Sequence, residues 1–360
     1  MKKRIYADNN ATTALDPEVK SHMDSLMSAP LNPSSLHAEG RKAKQLLLEA
    51  RDTIAKTLGV DTESLYFTGS ATEALAIAIG TFGSGHIVTS SVEHPAILNN
   101  TGENVTHVSC EMGSLSLSEI DEAITDATSL LVFSYANSET GSLFPVEQLA
   151  ALAKSRNIPL VIDAVGAYGK TNVVIPDGVS AMVFSSHKIH GPTGVGLLYM
   201  NGCKPKPLYH GGGQEHAVRS GTENIVAIVG FAKAFEKGAS APLMEMERRR
   251  VRFEEELVKQ VPGSKILGGK SRVSNVSNIY FPHLDAESIL IMLDMHGVAA
   301  SAGSACAAGA KEPSIVLQKM GYSFHEAKHA VRFSFSRFTT DDEIESLLML
   351  CSDCYRSCSK

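Results

Sequence analysis

Lys188 is the residue whose setting points most directly to chemistry. It ends the sequence Ser185-Ser186-His187-Lys188, which follows the apolar run 181–184 and precedes a second apolar run, 195–200. A lysine set where strands meet glycines is partly removed from water, which lowers the pKa of its amine and makes it a former of Schiff bases. On a solvated loop, a lysine is usually only a solubilising charge. The other motifs of the chain decide between these interpretations.

An acidic residue and a glycine turn precede this lysine in the chain. Asp163 ends the apolar run 159–163, and a carboxylate at the carboxyl end of a parallel strand lies where ligands bind, although turn aspartates are also common. Residues 69–72, Gly-Ser-Ala-Thr, join a short strand to an alanine-rich helix, which supplies backbone donors and a hydroxyl for a phosphate. Pyridoxal phosphate (PLP) requires a Schiff-base lysine, an acid for its ring nitrogen and a phosphate cradle. We therefore predict a PLP site.

Three further side chains are candidates for the same site. His94 follows another strand pattern and precedes a proline, so it either stacks on a flat ring or is a turn residue. Arg332 lies in the alternating pattern 331–335, where it either faces water or clamps a substrate carboxylate with two hydrogen bonds. Cys306 is the one reactive side chain of the small-residue run 299–310, which we expect to be a mobile loop or closely packed backbone.

The cysteines near the end of the chain allow two interpretations. Cys351, Cys354 and Cys358 have spacings that metal ligands could use,. They also continue a helical stripe of apolar positions, which is formed by Ile344, Leu347, Leu348, Cys351, Cys354, Tyr355 and Cys358. Because thiols behave as small hydrophobes, we favour packing and predict no metal site.

The composition is that of a globular protein without a nucleic-acid or membrane signature. Hydrophobic residues make up 43% and charged residues 20% of the 360 residues, and the net charge is -6. No basic stripe indicates nucleic acid, and no run approaches the ~18 apolar residues of a membrane span. The basic start of the chain lacks the apolar part of a signal peptide. We therefore expect a cytoplasmic protein whose cysteines are reduced thiols.

The hydrophobic patterns predict an α/β fold with a mainly parallel sheet, because strand patterns alternate with helical ones. Strands are expected at 64–68, 86–89, 129–133, 159–163 and 181–184, and helices at 40–58, 118–125 and 146–155. The pattern changes at 238–242 to a charged helix, 244–260, followed by short strands such as 276–281. We therefore predict a large domain at 14–238 and a smaller domain formed by 1–13 and 239–360, which carries Cys306.

Together these motifs resemble the cysteine desulfurases of the NifS and IscS type, which are class V, fold-type I PLP enzymes. The matching motifs run over nearly the whole chain: Tyr6–Thr13, Asn32–Ser35, Ala71–Glu73, Glu93-His94, Asp163-Ala164, Ser185–Lys188, Gly211–Glu215, Arg219–Asn224, Ser301–Cys306, Glu312–Ser314 and Arg332–Ser334. The segment from Ser301 to Pro313 is similar to that of the group I form, whose cysteine sits on a flexible segment. The resemblance implies a large domain with a mainly parallel seven-stranded sheet and a smaller α+β domain.

The resemblance also implies the contacts of the cofactor. Lys188 would hold PLP in a Schiff base, Asp163 would pair with its ring nitrogen and His94 would stack on the ring. The positions that match phosphate ligands are Ala71, Thr72, Ser185 and His187. Thr222 matches a position that reaches the phosphate of the partner subunit, which implies a homodimer.

The implied reaction is the PLP-dependent removal of sulfur from L-cysteine, with Lys188, Cys306 and His94 as catalytic residues. Arg332, with Asn32 nearby, would bind the substrate carboxylate, and Lys188 would act as general base at the α-carbon. The Cys306 thiolate would attack the substrate sulfur, which leaves L-alanine and a persulfide on Cys306. The persulfide would pass to an acceptor protein, for iron-sulfur cluster biogenesis or tRNA thiolation.

This sequence departs from the family pattern around the ring oxygen of the cofactor. Ser138 stands where the family has the second asparagine of Asn-Asn-Glu, and Gly166 stands where it has the glutamine of Asp-Ala-Thr-Gln. Those two side chains donate to the ring oxygen in the family, so their loss could cost about 1 kcal/mol each and shift the pKa of the imine. Ser138 could still reach the oxygen, directly or through water. Ser336 stands where the family commonly has glycine.

Three alternatives to a desulfurase remain at this stage. The altered Ser138 and Gly166 fit a weakly active, PLP-bearing sulfur-delivery scaffold. A selenocysteine lyase would keep the same residues and change the substrate. A class V aminotransferase would have no need for Cys306, so its sensitivity to mutation discriminates.

Overall fold

The computed structural model describes residues 4–303 and 312–358. Its strands are β1 (Ile5–Tyr6), β2 (Leu65–Thr68), β3 (His86–Ser90), β4 (Val105–Val108), β5 (Cys110–Glu111), β6 (Ser114–Leu115), β7 (Thr128–Ser134), β8 (Leu160–Asp163), β9 (Ala181–Ser185), β10 (Gly196–Met200), β11 (Lys265–Leu267), β12 (Val276–Tyr280), β13 (Val298–Ala299) and β14 (Ala330–Ser334). Its helices are α1 (Pro17–Asp24), α2 (Ala38–Leu58), α3 (Ala71–Phe82), α4 (Pro95–Leu98), α5 (Leu117–Ala123), α6 (Val146–Arg156), α7 (Gln214–Ala217), α8 (Ile225–Ala239), α9 (Leu243–Gln260), α10 (Ala286–Met295), α11 (Ile315–Lys319), α12 (Phe324–Lys328) and α13 (Asp341–Cys358). Among these, α7 is a left-handed turn, in which Glu215, His216 and Ala217 have positive φ.

A seven-stranded sheet with the order β2-β10-β9-β8-β7-β3-β4 forms the centre of the fold. β10 runs antiparallel to β2 and β9, and the other neighbouring strands are parallel. β8 and β9 are buried along their whole length, as continuous apolar runs require in a sheet covered on both faces. The predicted α/β fold with a mainly parallel seven-stranded sheet is confirmed.

Helices cover the two faces of this sheet. On β7, Leu131 and Phe133 belong to the core cluster that includes residues of α2, α6 and α8. Leu130 and Val132 point to the other face and belong to the cluster formed with α3. This alternation follows from the two-residue repeat of a strand. The helices therefore hold each strand from both sides and fix where its carboxyl end lies.

A second core lies around the antiparallel sheet β11-β12-β14. Its apolar residues come from α9, α10, α13 and these strands, and it includes Ala7 from the start of the chain. The start is held there because β1 pairs with β13 in parallel. The limits 14–238 for one domain and 1–13 with 239–360 for the other stay a prediction.

Two of the three terminal cysteines pack in this second core. Cys351 and Cys354 are buried among its apolar side chains, and burial raises the pKa of the Cys351 thiol above its ordinary range. Among residues 4–303 and 312–358, no group of three or more histidines, cysteines or acids could hold a metal ion. The packing interpretation therefore suits the geometry of Cys351 and Cys354. In the same part of the chain, no helix is both long and apolar enough to cross a membrane.

The carboxyl ends of the parallel strands meet at one edge of the large sheet. Asp163 ends β8 and Ser185 ends β9, while Ser134 ends β7 and Ser90 ends β3. Strands that run in the same direction present their last residues on the same side. Residues far apart in sequence are thus brought to one place.

Candidate active site

A cavity of about 380 Å³ opens at this carboxyl edge. Its lining includes Lys188, Asp163 and His94, and Arg332 reaches it from the second core. The volume lies within the usual range of about 300–1,000 Å³ for small-molecule sites. The cavity therefore unites the side chains that the sequence singled out at separate positions.

Lys188 is held by the start of the chain. It lies in the short 3₁₀ turn Ser186–Lys188, directly after β9. Its Nζ donates to the main-chain oxygens of Asn10 at 2.5 Å and Ala11 at 2.9 Å. Thr13 donates from its amide and its hydroxyl to the main-chain oxygen of His187, at 3.0 and 2.8 Å. The amine is therefore aimed by backbone groups that do not titrate.

Asp163 lies buried on the cavity wall. One of its carboxylate oxygens accepts the amide of Val165 at 2.9 Å. Burial raises the pKa of this carboxyl, while the Val165 amide and the charges of His94 and Lys188 act in the opposite direction. A buried carboxylate on a cavity wall is suited to a ligand that carries a positive charge, such as a protonated ring nitrogen.

His94 presents its ring to the cavity from the start of α4. It caps this helix, since its Nδ1 accepts the amide of Ala96 at 3.0 Å. An acceptor at Nδ1 leaves the proton of a neutral imidazole on Nε2. Burial lowers the pKa of His94, and Lys188 lowers it further, whereas Asp163 raises it. The ring is therefore neutral near pH 7 and free of a competing charge.

The phosphate cradle is the start of α3. Ala71 and Thr72 begin this 12-residue helix and line the cavity, and Ser70 caps it by accepting the amide of Glu73 at 3.2 Å. The strand β10 lies so close that a Cβ on Gly196 would come within 2.5 Å of the carbonyl carbon of Ser70. Free amides at a helix N-terminus bind phosphate. The backbone at the start of α3 therefore forms one wall of the anion site.

Two other predicted phosphate ligands face the same cavity from β9 and the turn that follows it. Ser185 and His187 both line it, and the Nδ1 atom of His187 lies 3.1 Å from the hydroxyl oxygen of Thr12. Burial, with Lys188 and Lys170 nearby, lowers the pKa of His187 to about 4. His187 is therefore a neutral partner for a phosphate oxygen.

Arg332 is buried in β14 and faces the cavity. Its Nη2 donates to Asp8 at 2.7 Å and its Nη1 to the main-chain oxygen of Ser138 at 3.2 Å. Its Nε has no hydrogen-bond partner among the described residues. A guanidinium held in this way suits a carboxylate ligand.

The structure does not bring every predicted site residue to this cavity. Asn32 is exposed, its side-chain oxygen accepts the amide of Ser34 at 3.0 Å, and it lies outside the cavity lining. Thr222 is exposed as well and lies outside the cavity lining. Cys306 and most of the predicted mobile loop lie outside the described residues.

The chain on either side of Cys306 is anchored beside the cavity. Ser301 exchanges two main-chain hydrogen bonds with Arg332, at 2.6 and 3.1 Å. Ser314 donates from its hydroxyl to the buried carboxylate of Glu139 at 2.5 Å. Arg332 lines the cavity, and Glu139 is the residue after Ser138, which also lines it, so both anchors lie next to the site.

Sequence reasoning missed three residues of the site. Asn10 lies in the motif Tyr6–Thr13, and it contacts Lys170 through its side chain and Lys188 through its main-chain oxygen. Lys170 lines the cavity and is buried. Glu93 accepts from Ser90 and Ser134 next to His94, and burial raises its pKa to about 7. The position of Lys170 seven residues after Asp163, in an apolar stretch, was the available signal.

The two positions that depart from the family pattern also line the cavity. The main-chain oxygen of Ser138 accepts from Asn10 and Arg332. Gly166 has no side chain, and a Cβ there would come within 2.8 Å of the main-chain oxygen of Ala136. Neither position carries a long side-chain donor.

These residues fit PLP. The buried Asp163, the backbone cradle that a Cβ on Gly196 would fill, and the oriented Lys188 supply the acid, the phosphate site and the amine that the cofactor requires,.

Comparisons with known proteins identify similar sequences and solved structures. The family model described as aminotransferase class-V matches residues 5–347. A cysteine desulfurase of Trichormus azollae is 38% identical over 96% of this chain and 91% of its own length. The solved structure of a NifS-like protein from Rickettsia africae is similar with a TM-score of 0.88 and 32% identity, over 98% of this chain and 99% of that one. The structure of a protein named SspA in complex with cysteine is similar with a TM-score of 0.81 and 30% identity, over 93% of this chain and all of that one.

Proposed function

Since this chain belongs to the aminotransferase class-V family, we propose that it is a PLP-dependent cysteine desulfurase, an enzyme that removes sulfur from L-cysteine. The observation that carries the proposal is the meeting of Lys188, Asp163 and Arg332 in one cavity with the start of α3. Relatives at 38% identity over nearly the whole chain are cysteine desulfurases, and a similar structure holds cysteine.

Four groups of the chain would hold the cofactor. The amides of Ala71 and Thr72 and the side chains of Ser185 and His187 would bind its phosphate, Asp163 its ring nitrogen, and His94 the face of its ring. Lys188 would bind it covalently through its carbonyl carbon. When bound, PLP supplies an electron sink for the negative charge that develops at the substrate's α-carbon.

Lys188 is the base of this site. Its Nζ lies against two carbonyl oxygens, which accept from the amine and keep it directed into the cavity. As a free amine, Lys188 would take the proton from the α-carbon of the substrate. Asp163 would pair with the ring nitrogen of the bound cofactor and stabilise positive charge there.

Arg332 binds and orients the substrate carboxylate. Asp8 and the Ser138 carbonyl fix its guanidinium, so little side-chain entropy is lost when a carboxylate arrives. This orientation sets the direction of the substrate sulfur, on which the last step depends.

Cys306 is the proposed nucleophile. Its thiolate attacks the substrate sulfur, a new S–S bond forms as the C–S bond breaks, and the electron pair left on carbon takes up a proton to give alanine. The anchors at Ser301 and Ser314 support this role because both lie beside the cavity. The persulfide would pass to a sulfur-acceptor protein in iron-sulfur cluster biogenesis or tRNA thiolation.

The proposal includes the setting of the enzyme. An exposed Thr222 supports a homodimer in which this residue reaches the phosphate of the partner subunit. We propose a cytoplasmic location.

The test follows two products from one reaction. The PLP-loaded protein is incubated with L-cysteine, alanine is measured by chromatography, and persulfide is mapped by alkylation and mass spectrometry. Alanine release, with persulfide on Cys306 that is lost in Cys306→Ala, supports the proposal. Alanine formation that is unaffected by Cys306→Ala would contradict it and favour an aminotransferase-like reaction. Persulfide with very slow turnover would favour the sulfur-delivery scaffold, and a strong preference for selenocysteine would favour a lyase.

A further inference from the structure

Lys170 is a second buried lysine in the cavity of Lys188. Lys170 is only 4% exposed, and it lines the cavity together with Lys188, Asp163 and Arg332. Lysine is almost never this deeply buried unless it is paired. The role of Lys170 therefore depends on which groups pair with its buried amine.

A rigid turn after β8 positions Lys170. The amides of Lys170 and Thr171 both donate to the main-chain oxygen of Ala167, at 2.9 and 3.0 Å. The main-chain oxygen of Lys170 accepts the amide of Ser274 at 2.9 Å. Tyr168 in the same turn packs on Phe235 with ring centroids 4.0 Å apart. These contacts fix the backbone of the turn, so the side chain of Lys170 extends into the cavity from a rigid segment.

The ammonium group of Lys170 has fewer partners than it needs. Its Nζ donates to Oδ1 of Asn10 at 3.1 Å, and no carboxylate of the described residues lies within 4.0 Å of it. An ammonium has three N–H donors, and a buried charge that is not fully hydrogen-bonded is unfavourable. A ligand oxygen in the cavity would satisfy a donor that the protein leaves open.

Asn10 brings the two lysines to the same place. Its side-chain Oδ1 accepts from Lys170, and its main-chain oxygen accepts from Lys188 at 2.5 Å. A group bound covalently to Lys188 would therefore lie near Lys170, and the phosphate arm on one side of that bond would be directed to the start of α3. In pyridoxal, the position on the other side of that bond carries the ring hydroxyl.

On this side of the cavity, the protein offers little else to a ring oxygen. Gly166 has no side chain, and the space for a Cβ is occupied by the Ala136 carbonyl at 2.8 Å. Ser138 has only its short hydroxyl as a side-chain donor, and its main-chain oxygen accepts from Asn10 and Arg332. Lys170 is the cation that faces the same cavity from the turn that contains Gly166.

We propose that Lys170 donates a hydrogen bond to the ring oxygen of the bound cofactor and sets the protonation of the bond that joins the cofactor to Lys188. The proposal rests on the proposed PLP-dependent function. It assigns Lys170 to a contact with the cofactor, apart from the substrate carboxylate site at Arg332.

The charges around Lys170 agree with this role. Burial and the charges of Lys188 and Arg332 together lower the pKa of Lys170 to about 7, although Asp163 acts in the opposite direction. An anionic ring oxygen in the cavity would oppose these effects and keep Lys170 protonated. A cation at this place in turn stabilises the ionised ring oxygen and makes protonation of the adjacent nitrogen less favourable.

The test is a spectroscopic pH titration that requires bound cofactor and no turnover. Wild type, Lys170→Met, Lys170→Gln and Lys170→Arg are loaded with PLP, and the visible absorbance of the bound cofactor is followed with pH. We expect the pKa of the absorbance change to rise by about 1 or more in Lys170→Met and Lys170→Gln, and to stay near wild type in Lys170→Arg. Cofactor release into a trap should become roughly tenfold faster in the neutral variants.

Controls separate this contact from a structural role. Lys154→Met removes an exposed lysine paired with Asp177 and should leave the titration unchanged. Lys170→Gln keeps a donor for Asn10, and therefore provides the measurement if Lys170→Met does not fold, as judged by circular dichroism.

Two results would overturn the proposal. One is a titration in the neutral variants that superimposes on wild type, and the other is a change confined to KM for cysteine, which would place Lys170 at the substrate carboxylate. Failure of the proposed function is distinguishable, because wild type would then bind PLP and titrate but release no alanine from cysteine.

Discussion

The buried pair Arg51–Glu215 should be the strongest single electrostatic contact near the phosphate cradle. Its side chains are 5% and 2% exposed, and the guanidinium makes two hydrogen bonds to the carboxylate, at 2.9 and 2.5 Å. Glu215 also accepts the amide of Phe67 in β2 at 2.7 Å. Because Glu215 belongs to the left-handed turn α7, the pair holds a strained segment against the large sheet.

Removing one charge should cost far more than removing both. Glu215→Gln keeps an acceptor for Phe67 and leaves the Arg51 charge unpaired, so we expect a loss of about 3–5 kcal/mol in the free energy of unfolding. Arg51→Met should cost a similar amount, because it leaves the carboxylate uncompensated. The double variant should cost only about 1–3 kcal/mol, for the lost hydrogen bonds. The resulting coupling is about 3 kcal/mol or more.

Urea unfolding of the apoprotein, followed by circular dichroism, measures this cycle. Asp121→Asn is the matched control, because Asp121 forms an equally bidentate but half-exposed pair with Arg156 and should cost less than about 1 kcal/mol. A loss in Glu215→Gln as small as that of the control, or additive costs in the double variant, would refute the reasoning.

A second readout links the pair to the cofactor. Beyond α7, Arg219 donates to Glu73 at 2.8 Å, and Glu73 accepts the amide of Gly69 at 2.8 Å. Displacement of α7 should therefore loosen the start of α3. We expect Glu215→Gln to lose PLP faster than Asp121→Asn during dialysis.

Four other perturbations have defined outcomes. Gly196→Ala places a Cβ 2.8 Å from the amide nitrogen of Ala71 and should weaken PLP binding at least about tenfold, as measured by absorbance titration. Gly80 lies in α3, the helix that Ala71 begins, and has open space for a Cβ, so Gly80→Ala should instead raise stability by about 0.5–1 kcal/mol in thermal unfolding. The pKa of Lys170 is lowered, mainly by burial, from 10.5 to about 7. Between pH 7 and 10.5 the unfolded chain therefore binds more protons than the folded one, so the stability of the apoprotein rises with pH in this window,. Lys170→Met should reduce this rise. Burial raises the pKa of Glu93 from 4.5 to about 7. The stability that this shift gives the apoprotein is present below pH 4.5 and is lost as the pH rises through about 7, and Glu93→Gln should make this loss smaller. Urea midpoints measured across both pH windows test the direction of the change for Lys170 and for Glu93. Cys351→Ala should destabilise by about 1–2 kcal/mol by leaving a cavity, and a chelator should leave the thermal midpoint of wild type unchanged.

The parts of the fold that local patterns determine were predictable from the sequence. Apolar runs located β8 and β9, and parallel strands place their carboxyl ends together, so Asp163 and Lys188 could be assigned to one edge before any coordinates. The helical stripe at 40–58 became α2, which begins two residues earlier, at Ala38. A difference of two residues is the ordinary uncertainty in where a helix begins.

Contacts between distant segments were less predictable. β1 pairs with β13 over nearly three hundred residues, and no local pattern encodes such a pairing. Lys170 lies in an irregular turn without periodicity, and a lysine is by default expected at the surface. Asn32 was expected near Arg332 by resemblance alone, and within this chain it is exposed.

The most direct test of the account asks which lysine binds the cofactor. The PLP-loaded protein is treated with borohydride, which fixes the bond between cofactor and lysine, and is then digested and mapped by mass spectrometry. The account predicts the modification on Lys188, with Lys170 unmodified in the same cavity. Modification of Lys170, or of neither lysine, would contradict it.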